Sequence, residues 1–146
     1  MHHFKSLYSF AGPAIAICAV LTSFAASSPA RASDCSMDRY NHNGSVMEVR
    51  FCDFTMHISY ESPRPGLARN GVTPGTLLID AKTSGNGNVE GNARVFKRGC
   101  EPLKYKVHGR IDSDRIELTG KAPVRDDDCS IVRFHTDALH FDMIKY

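Results

Sequence analysis

The chain reads as one all-β domain, an antiparallel meander of about eight short strands closed into a small barrel, with a β-sandwich as the alternative. Three observations predict it. Apolar and polar residues alternate with a period of two through several short runs. Turn chemistry punctuates those runs, most strongly at Ser84-Gly85-Asn86-Gly87. No helical period follows the N-terminal apolar stretch. Short connections favour a meander over a Greek key, and closing it removes the exposed edges.

Residues 1–32 read as a secretory signal peptide rather than as part of the fold. Met1–Phe10 carries Lys5, Ala11–Ala26 is apolar and uncharged, and Ala30-Arg31-Ala32 places small residues at a cleavage site. The apolar run is shorter than the roughly 20 residues of a spanning helix. Cleavage after Ala32 leaves residues 33–146 as a single domain with room for a modest core. It removes Lys5 and Arg31 from the 18 basic residues, which then match the 16 acidic ones, so the net charge falls from +2 to zero. A neutral domain gives no case for nucleic acid, and no later segment reads as transmembrane. The expected location is periplasmic or secreted.

Cleavage also removes Cys18 and leaves Cys35, Cys52, Cys100 and Cys129. An even count in an exported domain reads as disulfides, and the absence of C-x-x-C or H-x-x-x-H spacing argues against zinc. Of the three pairings, Cys35–Cys52 and Cys100–Cys129 are favoured. The second links a turn to the start of a strand across what is mostly one hairpin, and closing such a loop stabilises by about 3 kcal/mol.

The elements follow in order. Ser33–Ser45 is polar and reads as a loop, with Asn43-Gly44 as a turn. Val46–Phe51 is the first expected strand. Phe54–Glu61 is the second, with Phe54, Met56, Ile58 and Tyr60 on one face. Ser62–Gly75 holds three prolines and three glycines and reads as a long ordered loop. Thr76–Thr83 is the third strand, with Leu77, Ile79 and Ala81 inward and Leu78 on the other face. Asn88–Lys97 and Lys104–Ile111 follow, separated by a turn that holds Cys100. Small Gly91 and Ala93 on the inner face of the fourth strand suggest a bend or a close approach. Arg115–Gly120, Ser130–Thr136 and Leu139–Tyr146 complete the set, with a loop at Pro123–Asp128.

Little in the chain carries chemistry. There is no G-x-S-x-G elbow and no glycine loop that opens a helix for phosphate. Asp126-Asp127-Asp128 lacks EF-hand spacing and reads as a solvated turn. His57, His108, His135 and His140 fall on polar faces. His42, beside Asn43, is the histidine with turn neighbours that suit a site, and with Arg64 and Arg69 of the long loop it makes a candidate loop site. The other candidate is a basic patch. If the fourth and fifth strands pair, Arg94, Lys97 and Arg98 lie beside Lys104, Lys106, His108 and Arg110. Such a patch suits an anionic envelope polymer, an anionic lipid head group or an acidic periplasmic protein. No cofactor, metal or catalytic residue is expected.

Four stretches occur together: Asn41-His42-Asn43-Gly44-Ser45-Val46-Met47, Tyr60-Glu61-Ser62-Pro63-Arg64-Pro65-Gly66-Leu67, Gly71-Val72-Thr73-Pro74-Gly75-Thr76-Leu77-Leu78 and Val95-Phe96-Lys97-Arg98-Gly99-Cys100. In that order the chain resembles a family of small exported proteins of alphaproteobacteria, the rhizobia and their relatives. The resemblance implies a bacterial, exported setting and transfers no site residue. It also makes the glycosylation sequon at Asn43 irrelevant. The expected function is a non-enzymatic binding or interaction domain, envelope-associated or inhibitor-like. The alternative is a hydrolase of envelope glycans with Glu61 or Glu90 as acid and an aspartate as partner, which requires two carboxylates in one cleft.

Overall fold

The computed structural model describes residues 34–145. The expected signal peptide at 1–32 lies outside the described residues. The domain is an antiparallel meander closed into a barrel of eight strands. They are β1 (Cys35–His42), β2 (Ser45–Cys52), β3 (Thr55–Ser62), β4 (Leu77–Thr83), β5 (Asn88–Val95), β6 (Leu103–Asp112), β7 (Arg115–Arg125) and β8 (Ile131–Met143). A short 3-10 turn, Leu67–Asn70, lies in the long loop. Among the described residues no helix is long and apolar enough to cross a membrane. The disulfides are Cys35–Cys52 and Cys100–Cys129.

The expected inner faces form the core. Met47 and Val49 of β2, Met56, Ile58 and Tyr60 of β3, Ile79 of β4, Val89 of β5, Val107 of β6 and Leu118 of β7 are buried together with Leu139 and Phe141 of β8. Buried aliphatic side chains of this size contribute about 1.5–3 kcal/mol each.

Several boundaries differ from the sequence reading, each for a physical reason. Ser33–Ser45 is not a loop. Residues 35–42 form β1, which pairs with β2 through a two-residue turn at Asn43-Gly44 with φ of 50° and 80°. Two positive φ values in a two-residue loop are what a type I′ hairpin needs. The strand shows no apolar stripe because, of its eight residues, only Tyr40 and His42 are buried. The last two expected strands are one, β8, which runs unbroken through Asp137. β7 continues to Arg125, so the first half of the expected 123–128 loop is strand. Phe54 does not face the core; it is 68 % exposed in the β2–β3 turn. A bulge sets Ile58 opposite Ile79 but Ser59 opposite Leu77, and Leu78, not Leu77, is buried in the core.

The seam between β1 and β8 is short. Its register pairs are Tyr40 with Met143 and Asn41 with Asp142.

Candidate functional site

A broad concavity lies on the outer wall, across β3–β6. Period-two alternation turns Thr55 and His57, Asp80 and Lys82, Glu90 and Asn92, and Lys106 and His108 outward from these strands. Antiparallel pairing then sets them in rows. One row runs His57, Asp80, Asn92, Lys106; the next runs Lys82, Glu90, His108, Thr119. The saddle they line measures about 700 Å³. A further hollow of about 320 Å³ shares Lys106 and His108 and continues to Lys121 and Thr136.

The inner face accounts for the curvature. A Cβ on Gly91 would collide with the Asp80 carbonyl oxygen and lie 2.5 Å from the Ala81 Cα. A Cβ on Gly109 would meet the Glu117 carbonyl oxygen and sit 2.8 Å from the Leu118 Cα. Without side chains there, neighbouring strands approach closely, a device for bending a sheet.

Asp80 is the electrostatic centre of the saddle. Its carboxylate accepts hydrogen bonds from Asn92 Nδ2 at 2.9 Å and Arg94 Nη2 at 2.5 Å, with Lys104 Nζ at 3.4 Å. Partial burial works to raise its pKa, but the Asn92 and Arg94 bonds, the Arg94 charge and Lys104 together hold it below the ordinary 3.8. Arg94 is itself largely buried, and its Nη1 has no hydrogen-bond partner among the described residues.

The expected basic patch therefore divides. β5 and β6 pair, with Arg94 opposite Lys104 and Asn92 opposite Lys106. Arg94 and Lys104 both pair with the single carboxylate of Asp80. Lys97 turns away to Asp127 at 2.9 Å, and Arg98 is exposed in the β5–β6 turn. Lys106 and His108 stand in the saddle, and Arg110 stands one row on, opposite Glu117. Sequence reasoning missed Asp80 and Lys82. The alternation of β4 with the Gly-rich hairpin to β5 would have placed both on the outer face, beside Arg94.

The expected loop site is built differently. His42 is buried and stacks on Phe141 with ring centroids 4.5 Å apart. Its Nδ1 lies 2.8 Å from the His140 carbonyl oxygen, which can only accept, so Nδ1 carries the proton and Nε2 accepts from Asn43 Nδ2 at 3.4 Å. Burial lowers the His42 pKa, against the opposing effects of the His140 bond and Asp137. The Arg64 amide donates to Ser45 Oγ at 3.0 Å. Arg69 sits on the 3-10 turn and bonds none of these residues. His42 is thus a structural wedge at the seam. His57, His108, His135 and His140 are exposed.

Each glutamate named for hydrolysis shares a hollow with an aspartate, Glu61 with Asp38 and Glu90 with Asp80. Glu61 pairs with Arg39 at 2.7 Å and lines a different hollow, with Met37, Asp38 and Glu48. Glu90 lies in the saddle with Asp80. The Asp126 carboxylate accepts from the Ser130 amide at 2.8 Å, so the acidic run serves the β7–β8 turn. Comparison with known proteins gives no match: no protein-family model, no curated protein and no solved structure is significantly similar to this chain.

Proposed function

We propose that the protein is an exported, non-enzymatic binding domain that holds an anionic polysaccharide of the cell envelope across the outer saddle. The observation that carries this reading is the pairing pattern within the saddle. Arg94 and Lys104 are engaged by Asp80, whereas Lys82, Lys106 and His108 line the saddle with no bonded side-chain partner among the described residues. Unpaired cations offer charge to an anionic group. Asn92, Glu90, Thr55 and His57 beside them offer hydrogen bonds to hydroxyls. The furrow continues towards Lys121, which suits an extended ligand rather than a compact one.

The two disulfides support an oxidising, extracytoplasmic compartment. With the signal-like 1–32 segment and the resemblance to exported alphaproteobacterial proteins, they support a periplasmic or secreted location. The hydrolase alternative keeps Glu90 beside an ionised Asp80, as an acid and its aspartate partner would stand. It is the second reading because both lie on the open outer wall, among cations that suit an anionic ligand.

The test is retention on isolated envelope polysaccharide. The protein is expected to bind, and the K82E/K106E variant to lose binding while the far-ultraviolet spectrum stays unchanged. Equal binding by the variant removes the reading. Release of new reducing ends from the polysaccharide would restore the hydrolase.

A further inference from the structure

The first half of β8 is an open, apolar strand edge. Its amides and carbonyls alternate between two neighbours. The Asp137 carbonyl accepts from Thr119 Oγ1 of β7, and the Met143 amide donates to the Asp114 carbonyl before β7. On the opposite side the His140 carbonyl meets His42, and the Ile144 amide donates to the Arg39 carbonyl of β1. The same alternation aims the backbone groups of Phe134, Thr136 and Ala138 at the β1 side. β1 reaches β8 only at Met143 and Asp142, so among the described residues no strand meets them there. The outward side chains along this edge include Val132 and Phe134, 57 % and 60 % exposed, with Ile131 at 48 %. A long unpaired edge with exposed apolar side chains is a template for another strand.

We propose that this edge is a homodimer interface, in which β8 of one copy pairs antiparallel with β8 of a second copy about a two-fold axis at His135. Charge complementarity selects the occupant and the register. Centred on His135, the pairing sets Arg133 of each copy opposite Asp137 of the other, Val132 opposite Ala138, and Phe134 opposite Thr136. Tyr105 occupies Asp137 Oδ2 and leaves Oδ1 for the guanidinium. Opposite charges directly across a ladder stabilise it, and like charges destabilise it. Centring on Phe134 instead would oppose Arg133 to His135 and Ile131 to Asp137. Centring on Thr136 would oppose Arg133 to Leu139. Neither matches charge with charge at Arg133. The axis position makes the interface isologous.

The experiment is sedimentation equilibrium of the purified, oxidised protein over a concentration series, with R133E and His135→Cys variants. The wild-type protein is expected to dimerise. R133E, which sets carboxylate against carboxylate twice per interface, is expected to raise the dimer dissociation constant roughly tenfold or more. His135→Cys places two thiols across a non-hydrogen-bonded pair, at a Cα separation of about 4.5 Å that a disulfide accepts. It is expected to give a covalent dimer joined through the introduced thiols. Both substituted positions are solvent-exposed, and circular dichroism checks that each variant is folded. A monomer at every concentration overturns the proposal, as does an R133E dimer of unchanged affinity. A dimer that His135→Cys does not cross-link overturns the register.

Discussion

Tyr105 of β6 donates a hydrogen bond to Asp137 of β8 at 2.5 Å, reaching past β7, the strand that lies between theirs. The bond settles an aspartate on the inward-facing side of a strand. It also explains why β8 runs through a residue that reads as a break. Tyr105→Phe leaves the part-buried carboxylate without this donor, which is expected to cost about 1–3 kcal/mol. Urea denaturation of the two proteins measures the loss.

Alkaline pH should report on the same side chain. Burial first, then the Asp137 bond and charge, raise the Tyr105 pKa far above the ordinary 10.0, and burial also raises Tyr40 and Tyr60. A raised folded pKa means that the unfolded chain releases its protons first as pH rises. Stability from these groups is therefore complete below pH 10.0 and is lost progressively above it. Denaturation midpoints should fall above that pH, and less steeply in Tyr105→Phe.

His42 gives the opposite dependence on the acid side. Its pKa is lowered by burial from 6.5, so the unfolded chain takes up the proton first as pH falls. The stability it contributes is complete above 6.5 and declines below that value towards the folded pKa. A titration followed by nuclear magnetic resonance should show the His42 ring still neutral below 6.5. Protonation of His42 at or above 6.5 would contradict the buried wedge.

Much of the barrel was legible because most strands have one wet and one dry face. Period-two alternation exposes such strands at Phe54–Glu61 and Lys104–Ile111. It fails where a strand has no dry stripe, as in β1, or is exposed on both faces, as in Ile131–Thr136 of β8. The Cys100–Cys129 pair was legible from the turn that holds Cys100, and it left Cys35 to Cys52. The patch was only half legible. A list of cations does not say which of them a carboxylate on the next strand will claim, and Asp80 claims Arg94 and Lys104.

The two disulfides should differ in their effects. They close segments of 17 and 29 residues, which the chain-entropy model values at about 3 kcal/mol each, slightly more for the longer. Cys100–Cys129 ties the β5–β6 turn to the β7–β8 turn. The C100S/C129S variant is therefore expected to lower the denaturation midpoint and to become cleavable by protease between Arg125 and Arg133. Cleavage equal to that of the wild-type protein would show that pairing along β7 and β8 holds the hairpin without the cross-link.

Asp80→Asn separates structure from binding in the saddle. It removes the charge that holds Arg94 and Lys104, and it is expected to cost about 1–3 kcal/mol of stability. It also leaves Arg94 and Lys104, at the margin of the saddle, without their carboxylate. Anion binding should strengthen as stability falls, seen as tighter retention on the polysaccharide at equal salt.

The most direct measurement is an amide chemical-shift titration of the isotope-labelled protein with dextran sulfate as the anionic probe. The account predicts shifts concentrated at Lys82, Glu90, Asn92, Lys106 and His108 that salt reverses. Shifts spread over all basic residues alike, or confined to the β5–β6 turn at Lys97 and Arg98, would contradict it.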